Sequence, residues 1–207
     1  MSFRVFAGAS LFGAIGFGAW LTSGTGHAAS REAVAVVEAP AVVSDSALSR
    51  EESLRRFRDG LGRVESLAPV ARSREELVQR FARAVETRDS ATLGALVLSR
   101  AEFGWLFYPT TPQGLPPYDL APGLMWDLLS RQSDRGIAYV LRRHGGRSFG
   151  LVDHTCGTPS VEGDNRIWGP CLIRRHLADA EVASRLTGPI IERDGGFKFV
   201  SYTNDED

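Results

Sequence analysis

Apolar side chains recur at helical spacing in the middle of this chain. Ser73 precedes Glu76 by three residues, which is the pattern of a capping box at the start of a helix. The apolar residues that follow repeat every three or four positions. They are Leu77, Val78, Phe81 and Val85. The pattern predicts a helix that begins at Ser73 and ends before Asp89.

A similar pattern stands earlier in the chain. Ser49 precedes Glu52 by three residues, and apolar residues such as Leu54 and Phe57 fall near one stripe. We therefore expect a helix over residues 49–62. Such a helix would dock either on the rest of the domain or on a partner.

Further helix signals follow at Asp89 and Ser99. Asp89 has the side chain of a helix N-cap, and Ser99 with Glu102 repeats the capping-box spacing. We expect one short helix after Asp89 and another that ends at Pro109. The segment from Pro109 to Pro122 contains five prolines, counting both ends, and is predicted to be an extended surface loop.

The last helix signal covers residues 123–135, with Gly136 as its expected terminator. After it, apolar alternation and glycine-rich turns predict strands. The expected strands are residues 137–143, 148–156, 166–176, 184–192 and 197–202. The predicted fold class is α+β, with N-terminal helices packed on a strongly curved, cone-like antiparallel sheet.

The first 28 residues contain a single charged side chain, Arg4, followed by an apolar run and small residues. This composition predicts an export signal peptide, and an uncleaved N-terminal membrane anchor stays open as the alternative. The predicted organisation is a leader over residues 1–28, a linker over 29–48, an amphipathic helical segment over 49–68 and an α+β domain over 69–207.

Composition and charge narrow the function classes. The chain is 43% hydrophobic and 24% charged, which suits one domain with a full core. The formal net charge is −1, and all basic residues except Lys198 are arginines scattered among acids. This distribution disfavours a nucleic-acid partner. No phosphate-binding loop or paired-histidine metal motif occurs, so we expect no cofactor and no metal.

Only two cysteines occur, Cys156 and Cys171. In a chain predicted to be exported to an oxidising compartment, a disulfide between them is the favoured interpretation. Two unpaired buried thiols remain the alternative. A zinc site is disfavoured because the cysteines lack the close ligand spacing that such sites use.

A family resemblance rests on one helical pattern and the terminal hairpin. The pattern consists of Glu76, Leu77, Val78, Phe81, Ala84, Val85, Asp89 and Leu93. It resembles the nuclear transport factor 2-like superfamily, also called the cystatin-like α+β cone. The block over residues 98–103, with Tyr108 and Pro109, is similar to uncharacterised exported bacterial members. The resemblance covers residues 73–203.

The resemblance implies three helices on the concave side of a bent sheet and an apolar pocket at its mouth. Members of the superfamily include isomerases, dehydratases, cyclases and many binding modules, so the fold leaves the chemistry open. Enzymatic members place an Asp, or an Asp and a His, inside the cone with a Tyr donor. No motif matches those positions here, so no catalytic residue is assigned.

Two groups of residues are candidates for chemistry. Asp153 and His154 are adjacent on a predicted strand, so their side chains should point to opposite faces and only one could enter a pocket. Aromatic residues could surround an apolar ligand or could simply fill the core. The candidate pocket residues are Trp105, Tyr108, Trp126, Tyr139, His154 and Trp168, with Asp127 and Tyr118 as polar contacts or plain surface groups.

These observations favour an exported, noncatalytic module that binds a small apolar ligand or an envelope protein, in the periplasm or outside the cell. One alternative is a small pocket enzyme with isomerase-like or dehydratase-like acid/base chemistry on an apolar compound. Another is a membrane-tethered structural subunit, for which the leader must stay uncleaved. A homodimer is left open.

Overall fold

The computed structural model describes residues 48–205, which belong to one compact unit. The predicted leader, residues 1–28, lies outside the described residues, as does nearly all of the linker. The helices are α1 (Arg50–Arg58), α2 (Arg74–Glu86), α3 (Ser90–Leu96), α4 (Arg100–Glu102) and α5 (Pro122–His144). A π-helical segment, Phe103–Phe107, continues α4, and a 3-10 turn covers Pro112–Gly114.

Eight strands follow the last helix. They are β1 (Leu151–Cys156), β2 (Ser160–Glu162), β3 (Asn165–Trp168), β4 (Cys171–Leu177), β5 (Ala180–Thr187), β6 (Ile190–Arg193), β7 (Gly196–Phe199) and β8 (Tyr202–Asp205). They form two four-stranded sheets in the orders β1-β4-β5-β8 and β2-β3-β6-β7, and every strand pair in them is antiparallel. The predicted α+β class is confirmed.

The two sheets share one interrupted hairpin. Gly188 and Pro189 separate β5 from β6, opposite Val200 and Ser201, which separate β7 from β8. The Gly188 N–H donates to the Ser201 carbonyl and the Val200 N–H to the Pro189 carbonyl, each over 2.8 Å. The strand expected over residues 184–192 is therefore interrupted and forms the end of β5 and the start of β6. The strand expected over residues 197–202 is likewise divided between β7 and β8. Neither sheet is closed or curled, so the strongly curved cone stays a prediction.

The expected strand over residues 137–143 is wrong, because α5 continues as one helix of 23 residues to His144. Gly136 does not end the helix. It lies where α5 crosses β8, and a Cβ atom built there would stand 2.5 Å from Tyr202 Cβ. The glycine therefore allows close approach of helix and strand instead of terminating the helix.

The four predicted N-caps are present, at the starts of α1, α2, α3 and α4. The side chains of Ser49, Ser73, Asp89 and Ser99 each accept a backbone N–H from the residue three positions on. Ser99 and Glu102 alone complete the reciprocal capping box. Glu52 and Glu76 instead bind neighbouring arginines on their own helices.

The main core forms around Phe81 of α2, which is fully buried. Its ring centroid lies 5.5 Å from that of Phe149, 6.0 Å from that of Phe199 and 5.8 Å from that of Tyr202. Helix α2 thus packs on β1 and β7, while α5 packs on β5 and β8.

Helix α1 docks on the domain. Leu54 and Phe57 are buried, and the Phe57 ring lies 5.5 Å from that of Phe103 in the π-helical segment. A Cβ atom on Gly104 would lie 2.9 Å from Phe57 Cε1, so the glycine permits this contact. Arg58 Nε donates to the Gly104 carbonyl over 2.9 Å.

The predicted disulfide between Cys156 and Cys171 is confirmed. The two residues are register partners on β1 and β4, with Cα atoms 4.1 Å apart. Cys171 is buried and belongs to the main core. Within residues 48–205, the structure contains no helix with the length and apolar character needed to cross a bilayer.

Candidate functional site

A cavity of about 470 Å³ lies between α5 and both sheets. Its walls come from the π-helical segment with the turn after it, from α5, and from strands of each sheet. The lining residues are Phe107, Thr111, Gln113, Met125, Leu129, Gln132, Glu162, Ile167, Pro170, Cys171, Arg185, Thr187, Gly188, Pro189, Val200, Ser201 and Thr203.

Regular structure explains how two elements present their residues to this cavity. Met125, Leu129 and Gln132 are three or four positions apart and therefore share one face of α5. Arg185 and Thr187 are two positions apart on β5 and share one face of the sheet. The hairpin interruption at Gly188 and Pro189 completes this wall.

Two oxygen atoms in the cavity wall are buried without a hydrogen-bond partner among the described residues. They are Glu162 Oε2 and Thr187 Oγ1. Thr187 is only 1% exposed. Because buried polar atoms in proteins almost always have partners, a polar group that reaches these two atoms would supply the hydrogen bonds they lack.

The carboxyl group of Glu162 has an altered acidity. Burial raises its pKa above the usual value of 4.5, while a hydrogen bond from Ser160 Oγ acts in the opposite direction. That hydroxyl donates to Oε1 over 3.2 Å and leaves Oε2 toward the interior. Glu162 is therefore the lining residue best suited to exchange a proton near a bound molecule.

The remaining polar groups of the wall supply donors. Arg185 is exposed, and Gln132 is half-buried on α5. The lining residues include no tyrosine and no histidine. The arrangement can thus hold an apolar compound and offer both acceptors and donors to polar groups on it.

The six aromatic and histidine candidates lie elsewhere, and none of them lines this cavity. Trp105 lies against α1, where the Arg58 guanidinium stands 4.1 Å from its ring centre. Tyr108 is buried, and its hydroxyl donates to the Leu120 carbonyl over 2.7 Å. Trp105 thus connects the π-helical segment to α1, and Tyr108 connects the end of that segment to the loop before α5.

Trp126 and Tyr139 are both half-buried on α5. The Trp126 ring centre lies 5.4 Å from that of Phe103, and Trp126 lines a second cavity of about 270 Å³. Tyr139 packs against the main core, with the Arg142 guanidinium 5.9 Å from its ring centre.

Trp168 and His154 face the start of α2. Trp168 Nε1 donates to Glu192 Oε2 over 2.8 Å, and the Arg74 guanidinium stands 4.0 Å from its ring centre. Burial lowers the pKa of His154, partly offset by the charge of Glu75. The structure does not bring the six candidates together around one space.

The polar candidates are surface groups. Asp153 forms an ion pair with Arg174, its register partner on β4, so it does not orient His154. Asp127 pairs with Arg131 over 2.8 Å along α5. Tyr118 is 66% exposed.

Sequence reasoning missed Glu162 and Thr187. Glu162 belongs to β2, which we did not predict because only three residues form it within a glycine-rich stretch. Thr187 lies within an expected strand, and strand alternation places it on the same face as Arg185. Nothing in the sequence indicates that this face borders a cavity.

Within the described ranges, no group of three or more His, Cys, Asp or Glu side chains could hold a metal ion. Comparison of the chain with protein-family models, with curated proteins and with solved structures finds no match. The likeness to the nuclear transport factor 2-like superfamily therefore stays a prediction from sequence.

Proposed function

We propose that this chain is an exported, noncatalytic module that binds a small apolar ligand in the 470 Å³ cavity. The single observation that carries the proposal is a mainly apolar cavity with two buried, unpaired oxygen atoms in its wall. Apolar lining with a few convergent polar groups is typical of small-molecule sites.

Two features support export as part of this proposal. The leader-like composition of residues 1–28 is that of a secretory signal. The disulfide between Cys156 and Cys171 is of the kind that persists in oxidising compartments. Intact-mass analysis of protein recovered from cell envelopes tests this part, because a mass that retains residues 1–28 contradicts cleavage.

Binding is tested with Nile red, a neutral apolar dye whose fluorescence rises in apolar surroundings. Leu129 lines the cavity from α5, so Leu129→Trp fills it and is expected to weaken dye binding at least tenfold. Leu124→Trp is the matched control, because Leu124 lies on the same helix, 52% exposed and outside the lining. Equal binding by both variants would place the dye elsewhere and contradict the proposal.

A small acid/base enzyme is the second candidate, and the raised pKa of Glu162 in the cavity wall is the observation that favours it. Such an enzyme would exchange a carbon-bound proton of its ligand with solvent. NMR in D2O detects that exchange for any compound found to bind. Exchange that is lost in Glu162→Gln, with binding retained, would support the enzyme over the noncatalytic module.

A further inference from the structure

The cavity of the proposed function adjoins a second cavity, and the two share two apolar lining residues. Leu129 of α5 and Val200 of the hairpin interruption line both the 470 Å³ cavity and the 270 Å³ cavity. The second cavity lies between α5, the α3 residue Gly94 and the segment that leads into α4. An apolar chain that passes Leu129 and Val200 would extend from one cavity into the other.

The polar groups of the first cavity define what head group fits there. Glu162 Oε2 is a buried acceptor and Thr187 Oγ1 is a buried hydroxyl that both donates and accepts, while Arg185 and the amide of Gln132 in the same wall add donors. A hydroxyl group is both donor and acceptor, so it matches either kind of partner.

Charged head groups fit less well. An ammonium group would pair with Glu162 but meet the positive charge of Arg185, and a carboxylate would pair with Arg185 but meet the charge of Glu162. Bringing either charge into a mainly apolar space also costs its hydration. A neutral hydroxyl avoids both penalties.

We propose that the ligand is an elongated, neutral, hydroxyl-bearing apolar molecule. Its hydroxyl donates to Glu162, and its tail passes Leu129 and Val200 into the second cavity. This inference rests on the proposed function, since it assigns the ligand class of the same cavity.

Head-group recognition is tested by calorimetric titration of the full chain with 1-octanol and with heptyl methyl ether, which has the same number of heavy atoms but no donor. We expect octanol to bind about three- to tenfold more tightly, the usual net value of one hydrogen bond. Glu162→Met should reduce this ratio to near one without weakening the ether. Glu65→Met, at a carboxylate that is 82% exposed, should leave the ratio unchanged.

The tail path is tested with 1-hexanol, 1-octanol and 1-decanol. In the wild-type chain we expect affinity to rise about fourfold per added methylene. Gly94→Leu places a side chain at the second cavity, where an added Cβ meets nothing within 4 Å. It should weaken decanol and leave hexanol unchanged, whereas Ala95→Leu, at an exposed α3 position outside both cavities, should change neither.

The outcomes separate this inference from the proposed function. Equal binding of alcohol and ether, or tighter binding of octylammonium or octanoate, overturns the head-group assignment. Affinity that does not depend on Gly94→Leu overturns the tail path. In both cases the proposed function stands if Leu129→Trp still weakens dye binding at least tenfold, and both ideas fail if neither dye nor alcohols bind.

Discussion

Lys198 Nζ donates to Glu102 Oε2 over 2.8 Å, and the two side chains are 4% and 3% exposed. The carboxylate also accepts the N–H groups of Ser99 and Ala68. Burial alone would raise the pKa of Glu102, but the hydrogen bonds from Lys198 and from these two N–H groups lower it overall. One buried carboxylate thus connects β7, the start of α4 and the chain before α2.

Lys198→Met is therefore expected to lower the free energy of unfolding by about 3 to 5 kcal/mol, because it leaves the Glu102 carboxylate buried without its counter-ion. Chemical denaturation monitored by circular dichroism measures the change. Arg131→Met is the control, since Arg131 is 68% exposed in its pair with Asp127 and should contribute less than about 1 kcal/mol. Similar losses in both variants would show that burial does not set the contribution of the Lys198 pair.

Gly136→Ala tests the close crossing of α5 and β8. Alanine favours a helix by about 1 kcal/mol over glycine. Its Cβ would nevertheless lie 2.5 Å from Tyr202 Cβ, so helix and strand must move apart. We expect a net loss of about 1 to 3 kcal/mol of unfolding free energy, measured by thermal and urea denaturation.

The matched control is Gly123→Ala in the first turn of the same helix, where an added Cβ meets nothing within 4 Å. This change should be neutral or stabilising by up to about 1 kcal/mol. A stabilised Gly136→Ala variant would contradict the close packing at the crossing.

The disulfide closes a loop with a sequence separation of 15 residues. Replacing Cys156 and Cys171 together by alanine is expected to lower the free energy of unfolding by about 3 kcal/mol, chiefly through the greater freedom of the unfolded chain. Urea denaturation with and without reductant measures this. Reductant should destabilise the wild-type chain by a similar amount and leave the variant unchanged, and an equal effect on both would contradict the prediction.

Glu162 predicts a pH dependence of stability. Burial raises its pKa in the folded chain above the usual value of 4.5, so the folded state holds the proton more tightly than the unfolded state. The contribution of Glu162 to stability therefore falls as pH rises from 4.5 through the folded-state pKa. In Glu162→Gln this fall is absent.

Unfolding free energies measured from about pH 4 to about pH 8 should show the Glu162→Gln variant gaining on the wild-type chain as pH rises. A constant offset between Glu162→Gln and the wild-type chain would mean that burial does not perturb the Glu162 carboxyl group.

Local sequence signals predicted local structure well. Ser73 and Ser99 mark helix starts because N-cap hydrogen bonds involve residues only three positions apart. The prediction that Gly136 ends the last helix is wrong, because the helix continues past this glycine, which packs closely on Tyr202. Ile137, Val140 and Leu141 have helical spacing, but an apolar segment this short is equally compatible with a strand.

The sequence by itself determined the helix caps, the α+β class and the identity of the two cysteines that form the disulfide. These features depend on residues close in sequence or on composition. Only the tertiary structure decided which residues meet around a cavity. Glu162, Thr187 and Leu129 come from three distant elements, and no periodicity links them. The aromatic candidates lie apart from one another because each ring packs against a different apolar or cationic side chain. The way the helices cross the sheets decides which side chains are close enough to do so.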